Sequence, residues 1–428
     1  EENRKNFSKY VSQNILGMIG FSCYVLADSY FISIAKGADG LTALNLVMPL
    51  YSIIFSIGEM IGVGSAIRYA ISKIKKDADA DDYFWNALIW CILSSMLFVF
   101  AGIFFSADIM RVLGADEHIV AVGNNYTKIF MCFAPMFMCN YVTNAFVRND
   151  GAPGIAMSAT LFSSLFNIVF DYILMFPMNL GMEGAALATA LSPIIGMGIC
   201  SIHFFSKKSS VRLVVCKPSV RKLVAGSQLG VSAFVGEMSS AVITLAFNFV
   251  ILKLAGNVGV AAYGVVANIA IVTTAVFNGV AQGSQPLISS CFGRGDKDGC
   301  TQLKRMGYTT AFVLAAVMYS ILFIFAGQFV AVFNSEGSEM LRLYATEGVK
   351  LYFIGIFFAG INIVGGGAFS ATEDAFKAAV VSVARGFVLI LGAVFVMSAL
   401  FGMTGVWLAY AVAEGITTFI MLVMAMRV

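Results

Sequence analysis

Charge is scarce in this chain. Asp, Glu, Lys and Arg make up 12% of its 428 residues, where a soluble domain carries about a quarter. With 59% apolar residues and a mean hydropathy of +0.86, that scarcity excludes an ordinary soluble protein. Histidine is rarer still. His118 and His203 fall at the ends of apolar runs, where an interfacial place suits them better than catalysis. The eight cysteines, at 23, 91, 132, 139, 200, 216, 291 and 300, form no C-x-x-C pair and none has a histidine at metal-ligand spacing, so free thiols are expected. No Gly-x-x-x-x-Gly-Lys-[Ser/Thr] loop is present, which removes ATP as an in-chain energy source. The glycine pair in Phe292-Gly-Arg-Gly-Asp296 follows an apolar run rather than a strand and reads as a turn. An intramembrane enzyme would need a nucleophile with its base, or a metal cluster. No such His/Cys/Asp grouping, and no repeated filter segment of a channel, is visible. A net charge of +3 says little by itself, and no nucleic-acid partner is expected.

What the chain has instead is apolar length. About 20 apolar residues cross the hydrocarbon core, and twelve stretches reach it, near residues 10–35, 42–70, 84–106, 118–147, 155–177, 184–206, 223–254, 260–288, 305–330, 341–370, 378–400 and 405–427. Alternate loops differ in charge. Twenty Lys and Arg lie on one side, including Arg4, Arg68, Arg148, the cluster from Lys207 to Lys222, Arg294 and Arg427. Only Lys36, Arg111, Lys253 and Arg342 lie on the other. Basic loops stay in the cytoplasm, so both termini are expected there and the protein is expected in the cytoplasmic (inner) membrane. The polar segment from Glu1 to Lys9 reads as a lead-in to the first span.

The halves of the chain are alike. Gly181-Met-Glu-Gly-Ala-Ala-Leu-Ala188 returns as Gly402-Met-Thr-Gly-Val-Trp-Leu-Ala409, 221 residues later. Gly64-Ser65 with Asp77 returns as Gly283-Ser284 with Asp296 at an offset of 219, and Lys128 as Lys350 at 222. Three anchors at nearly one offset imply duplication of a six-helix unit, with the copies related by an axis along the membrane normal. We expect an N-terminal lobe of residues 1–206, a cytoplasmic linker of 207–222 with Pro218, and a C-terminal lobe of 223–428, with binding between the lobes.

Charges inside the spans carry the function. A carboxylate near mid-bilayer costs roughly 2.5 to 3.5 kcal/mol on insertion scales and is kept where it has a partner, a proton or a cation. Asp28 lies in the first span and Asp171 in the fifth, at matching depth in the outer half. Asn167, four residues before Asp171, shares its helix face. Tyr24 stands one turn before Asp28, and Asn144 and Thr189 offer further oxygens from the same half. Together they suit one shared proton, or a sodium ion at Asp28, Asn167, Asp171 and Thr189, because hard cations prefer oxygen. The second half lacks the pair: the counterpart of Asp171 is Ala393 or a neighbour, and that of Asp28 falls near Phe247. Glu237 is a secondary site candidate. Glu59 and Glu414 read first as structural, and Lys128, Lys350 and Arg385 could pair with such acids or snorkel to an interface.

With twelve spans, two copies and these acids, the chain resembles the multidrug and toxic compound extrusion (MATE) family over essentially its whole length. It looks most like the branch with the DNA-damage-inducible and staphylococcal-type multidrug members, whose helix 1 aspartate and helix 5 Asn-x-x-x-Asp are matched by Asp28, Asn167 and Asp171. The resemblance also places Tyr24, Asn144 and Thr189 on site positions, and Glu237 on a helix 7 glutamate used in another branch. It implies an all-α polytopic, V-shaped transporter that needs no cofactor and works as a monomer. Such a protein exchanges H+ or Na+ for amphipathic, often cationic aromatic compounds by alternating access. A flippase or exporter of a lipid-linked or biosynthetic product in the same superfamily is the alternative, which several Arg or Lys in the cavity would favour. Some relatives bend helix 1 at a proline. The first proline here is Pro49, so no such kink is expected.

Overall fold

Inside a bilayer a backbone must satisfy its own hydrogen bonds, so each apolar run becomes a helix. The computed structural model describes residues 1–334 and 337–426, less the side chains of residues 33, 37, 38, 41, 42, 45 and 257; Arg427, counted above among the basic charges, lies outside them. Among the described residues no strand forms. One continuous helical stretch, Glu2–Ile74, supplies the first two spans, α1 (Glu2–Lys36) and α2 (Leu46–Ile74). Then follow α3 (Asp82–Val112), α4 (Glu117–Cys132 with Ala134–Asn149), α5 (Pro153–Met175) and α6 (Met182–Phe204). The second half gives α7 (Val231–Gly256), α8 (Val258–Gly293), α9 (Lys297–Ile324) and α10 (Glu339–Ala371). The stretch Ala375–Met426 is broken by a non-helical Gly402, which divides it into α11 (375–401) and α12 (403–426).

Local chemistry explains the interruptions. Pro135 has no N–H to give the turn before it, and α4 bends there by 47°. In α1 no proline intervenes and the helix runs unbroken. Gly181 and Gly402, paired by the sequence repeat, share one backbone conformation, φ 60° and ψ −128° against φ 64° and ψ −138°. A side chain would be strained at either.

Among the described residues two large apolar cores form, beside a small third cluster of Val147, Ala156, Ala159 and Cys200. One gathers residues of α2 to α4 around Ile54, Tyr126 and Phe146, the other residues of α7 to α12 around Phe247, Phe353 and Trp407. Large apolar side chains such as Leu97, Phe104, Leu245, Ile324 and Phe419 remain exposed, as helices facing lipid require. All eight cysteines are free thiols.

The halves meet at the end that carries the basic loops. Asn3 Nδ2 donates to Gln302 Oε1 (3.1 Å), Arg68 Nε to the Ala225 carbonyl (2.9 Å), and Arg68 pairs with Glu373 (3.4 Å). Below them is a seam of small residues. A Cβ on Gly64 would sit 1.8 Å from the Gly226 carbonyl oxygen, and one on Gly230 1.9 Å from that of Met60. Gly283, the repeat partner of Gly64, packs likewise on the backbone of α1 at Val11.

Residues 209–219 have no regular structure but are tied to the first half. Trp85 Nε1 donates to the Cys216 carbonyl (2.8 Å), Trp90 Nε1 to that of Ser219 (3.2 Å), and the Ser219 N–H to Asn86 Oδ1 (2.7 Å). Asp150 accepts from the Ser210 N–H (2.8 Å) and from His203 Nε2 (2.7 Å). His203 is therefore buried at the end of α6 and bonded, where an interfacial place had been expected. The Lys222 ammonium, 2.6 Å from Asp79, holds that carboxyl below its ordinary range. A depressed carboxylate contributes above its unfolded pKa and is lost in acid, so this tie is expected to persist through neutral pH and to release only below about pH 4.

Candidate functional site

Close helix approach builds the site. A Cβ on Gly184 of α6 would lie 2.8 Å from the Leu174 backbone, so only a hydrogen there lets α6 lie against α5. Gly20 of α1 opens space for Leu161 of α5 in the same way. Between the three helices lie Asp28 from α1, Asn167 and Asp171 from α5 and Thr189 from α6, each at most 7% exposed. The i, i+4 spacing puts Asn167 and Asp171 on one face, as expected.

Their polar atoms lack protein partners. Asp28 Oδ1, both Asp171 oxygens, both Asn167 amide atoms and Thr189 Oγ1 are buried without a hydrogen bond. An unsatisfied buried polar group costs about 1 to 3 kcal/mol, more when charged. The Asp28 and Asp171 carboxyls come within hydrogen-bonding reach of each other. Carboxylates only accept, so that contact becomes a bond when one of the two holds a proton. A bound cation would satisfy the same oxygens. Five of the six atoms named above are oxygens, a donor set suited to a proton or a hard monovalent ion. Among the described residues no three of His, Cys, Asp and Glu converge, so nothing here has the make-up of a transition-metal centre.

Tyr24, one turn before Asp28, lies in the field of both aspartates and also lines a cavity between the halves. It connects the site to that space. Asn144 lines the cavity too, but its side chain is taken. Its Nδ2 donates to the Ala156 carbonyl (3.1 Å) and Thr160 Oγ1 (3.3 Å), and its Oδ1 accepts from Arg148 (3.0 Å). The structure thus brings Asp28 to Asp171, with Asn167 on the same face of α5 and Thr189 buried and unpartnered on α6, and leaves Asn144 in a separate network. Sequence reasoning missed Tyr51 and Tyr126, whose bonded hydroxyls feel both aspartates. Their only signal was a polar tip in an apolar run.

Two cavities, of about 100 and 140 Å³, adjoin in the cleft. Glu59, Glu237 and Gln282 line both.

The sequence profile of the MatE family matches residues 14–173 and 233–396, one block in each half. The chain belongs to the MatE family. It is 27% identical over 414 residues to the multidrug export protein MepA of Staphylococcus aureus (strain MRSA252), covering 94% of this chain and 89% of that protein. MepA of Staphylococcus saprophyticus is 26% identical over 409 residues. Among solved structures, an outward-facing multidrug resistance MATE transporter of the MOP superfamily superposes with a TM-score of 0.92 at 20% identity, over 99% of this chain and 96% of that one. A MOP-superfamily transporter from Pyrococcus furiosus, described as having a binding pocket of reverse polarity, superposes with a TM-score of 0.91. The expected polytopic α-helical fold is borne out, and this MatE chain is a multi-pass membrane transporter rather than an enzyme.

The arginines of this MatE chain need one correction. Arg148, assigned by sequence to a basic loop, is 4% exposed and lines the first cavity, because it occupies the last turn of α4 with that helix packed around it. Arg385 lines the second. It sits in a π-helical turn, 384–388, whose extra residue turns the side chain toward α12. There its Nε lies 2.8 Å from Glu414 Oε1, while Asn362 Nδ2 donates to Glu414 Oε2 (2.7 Å). Breaking a buried pair leaves a bare charge, so Glu414→Ala is expected to destabilise by about 3 to 5 kcal/mol. The paired change Arg385→Met with Glu414→Leu should recover much of that loss. Thermal unfolding of the purified protein decides the matter.

Proposed function

We propose that this chain is a secondary active antiporter that exchanges a proton or sodium ion for amphipathic, often cationic aromatic compounds, by alternating access. The observation that carries this reading is the set of buried, unpartnered oxygens at Asp28, Asn167, Asp171 and Thr189, one tyrosine away from a cavity between the halves. Coupling needs a site whose ion affinity differs between two states, since equal affinity shifts no equilibrium. The site's link through Tyr24 to the cleft makes such a difference available. Aromatic and methionine side chains with two glutamates in the cleft suit an apolar cation. The named relatives are multidrug exporters.

In this scheme residues 1–206 and 223–428 are two lobes, joined by the 207–222 linker, that rock against each other, and one chain suffices. With the basic loops in the cytoplasm, closure at the glycine seam makes the described state outward-facing. Ion entry at Asp28 and Asp171 then favours release of the exported compound. The test is transport in proteoliposomes of a fluorescent cationic dye under an imposed proton or sodium gradient. Movement driven by one of the two is expected, and movement indifferent to both overturns the reading.

Orientation has its own check. A membrane-impermeant maleimide is expected to leave Cys216 unmodified in intact cells and to reach it after permeabilisation. Modification before permeabilisation reverses the assignment.

One observation favours the alternative, a flippase or exporter of a lipid-linked or biosynthetic product. Arg148 and Arg385 both line the cleft and would suit an acidic head group. Competition of dye transport by an acidic lipid, lost in Arg148→Gln, would support it.

A further inference from the structure

Glu59 and Glu237 come from opposite halves and meet in the cleft. Glu59 of α2 immediately precedes Met60, whose carbonyl packs on Gly230, and Glu237 of α7 lies two turns beyond Gly230. The pair therefore sits directly on the open side of the glycine seam. Their carboxyls are within hydrogen-bonding reach of each other, and Gln282 Nε2 reaches Glu59 Oε1 at 3.4 Å. One turn along α8, Gln285 is buried, lines the second cavity beside them and has Oε1 without a partner.

The surroundings do not neutralise the pair. Arg148 of α4 lies in the field of Glu59 but bonds to Asn144, and Arg385 of α11 is held by Glu414. Tyr24 of α1 and Tyr141 of α4 face the acids and are uncharged near neutral pH. Among the described residues neither glutamate forms an ion pair within 4.0 Å of a cation. Two facing carboxylates repel; one proton between them turns repulsion into a strong O–H···O⁻ bond.

We propose that Glu59 and Glu237 form a second proton site, built between the halves, that latches the seam shut while one proton is shared. Asp28 and Asp171 lie within a single half, so their site persists however the halves stand. The Glu59–Glu237 site exists only when the seam is closed. Closure and proton uptake are then linked, and raising the pH opens the seam. One proton taken up on closing changes the closed-to-open ratio by at most about tenfold per pH unit. The inference requires the halves to move; it is independent of which ion the aspartates use.

Hydrogen–deuterium exchange on the full-length protein in nanodiscs, between about pH 6 and 9, tests it. Peptides covering residues 60–68 and 226–232 are read after division by the intrinsic pH dependence of amide exchange. In the wild type, protection of the seam is expected to fall as pH rises, approaching tenfold per unit inside the titration window. Glu59→Gln keeps a neutral donor facing Glu237, so protection should be high and flat with pH. Glu237→Gln, from the other half, should reproduce that profile and decides the matter if the first variant fails to fold. Glu59→Ala should be unprotected and flat. Asp28→Asn with Asp171→Asn, which removes any proton step of the aspartates themselves, should still show protection that falls as pH rises, and adding Glu59→Gln to it should abolish that slope. A slope that survives in the glutamine variants, a flat wild type, or a slope lost in the aspartate variants alone overturns the latch. A failure of gradient-driven dye transport with the slope intact counts against the antiport reading and leaves the latch standing.

Discussion

Gradient-driven dye export by Asp171→Asn is expected to fall at least about tenfold, the factor that corresponds to 1.4 kcal/mol, and Asp28→Asn to behave alike. Asparagine keeps the shape of the side chain and removes the ionisable oxygen. The site is buried and its oxygens have no other partner, so no neighbouring group can take over the lost charge. Each aspartate serves as the other's proton partner. Losing both should therefore cost little more than losing one, the non-additivity expected of groups that act as a unit. Initial rates in proteoliposomes measure this, with dye affinity followed separately by fluorescence; the affinity is expected to survive, because neither aspartate lines either of the two cavities described above. Unchanged gradient-driven rates in both single variants would remove the aspartates from the coupling step. Thr189→Val then separates the ions. It deletes a neutral oxygen that a sodium ion would use and a shared proton would not, so a raised sodium requirement identifies sodium.

Gly64→Val is expected to stop transport through a different route. Its Cβ would lie 1.8 Å from a backbone oxygen across the seam, and backbone cannot move aside as a side-chain tip can. Overpacking costs typically 1 to 3 kcal/mol. At about 3 kcal/mol the closed-to-open ratio falls roughly a hundredfold. The contact joins the halves rather than filling either core, so the variant should fold and purify normally while the seam loses exchange protection. Gly230→Ala should act in the same direction. Gly392→Ala, where a Cβ meets nothing within 4 Å, is the control. A Gly64→Val protein that transports at the wild-type rate would show that the seam does not have to close.

Much of this was legible in the chain because burial in lipid leaves a coarse mark on sequence. Apolar length alone marks the spans, and the cost of an acid in oil picks out Asp28 and Asp171. Helix periodicity adds Asn167. Neutral residues pass unnoticed: Tyr51 and Tyr126 carry no charge to stand out against an apolar run. Arg148 was misplaced because an arginine at the end of a run looks the same whether it points outward to water or inward to a cavity. Contacts that depend on how one half sits against the other are not encoded locally. Glu59 and Glu237 are 178 positions apart and belong to different copies of the repeat. Asn144 shows the limit of spacing arguments. Its position suits the site, yet Ala156, Thr160 and Arg148 occupy its amide.

The two indoles that hold residues 216 and 219 against α3 bear on how force passes along the polypeptide. A connector stapled to one side has no slack to pay out, so it travels with that side as cargo. Any swing must be absorbed past Ser219, in the one short helix before Gly230. The pivot is thereby confined to about ten residues, and lengthening the irregular segment upstream of Trp85's anchor should leave the stroke unaltered.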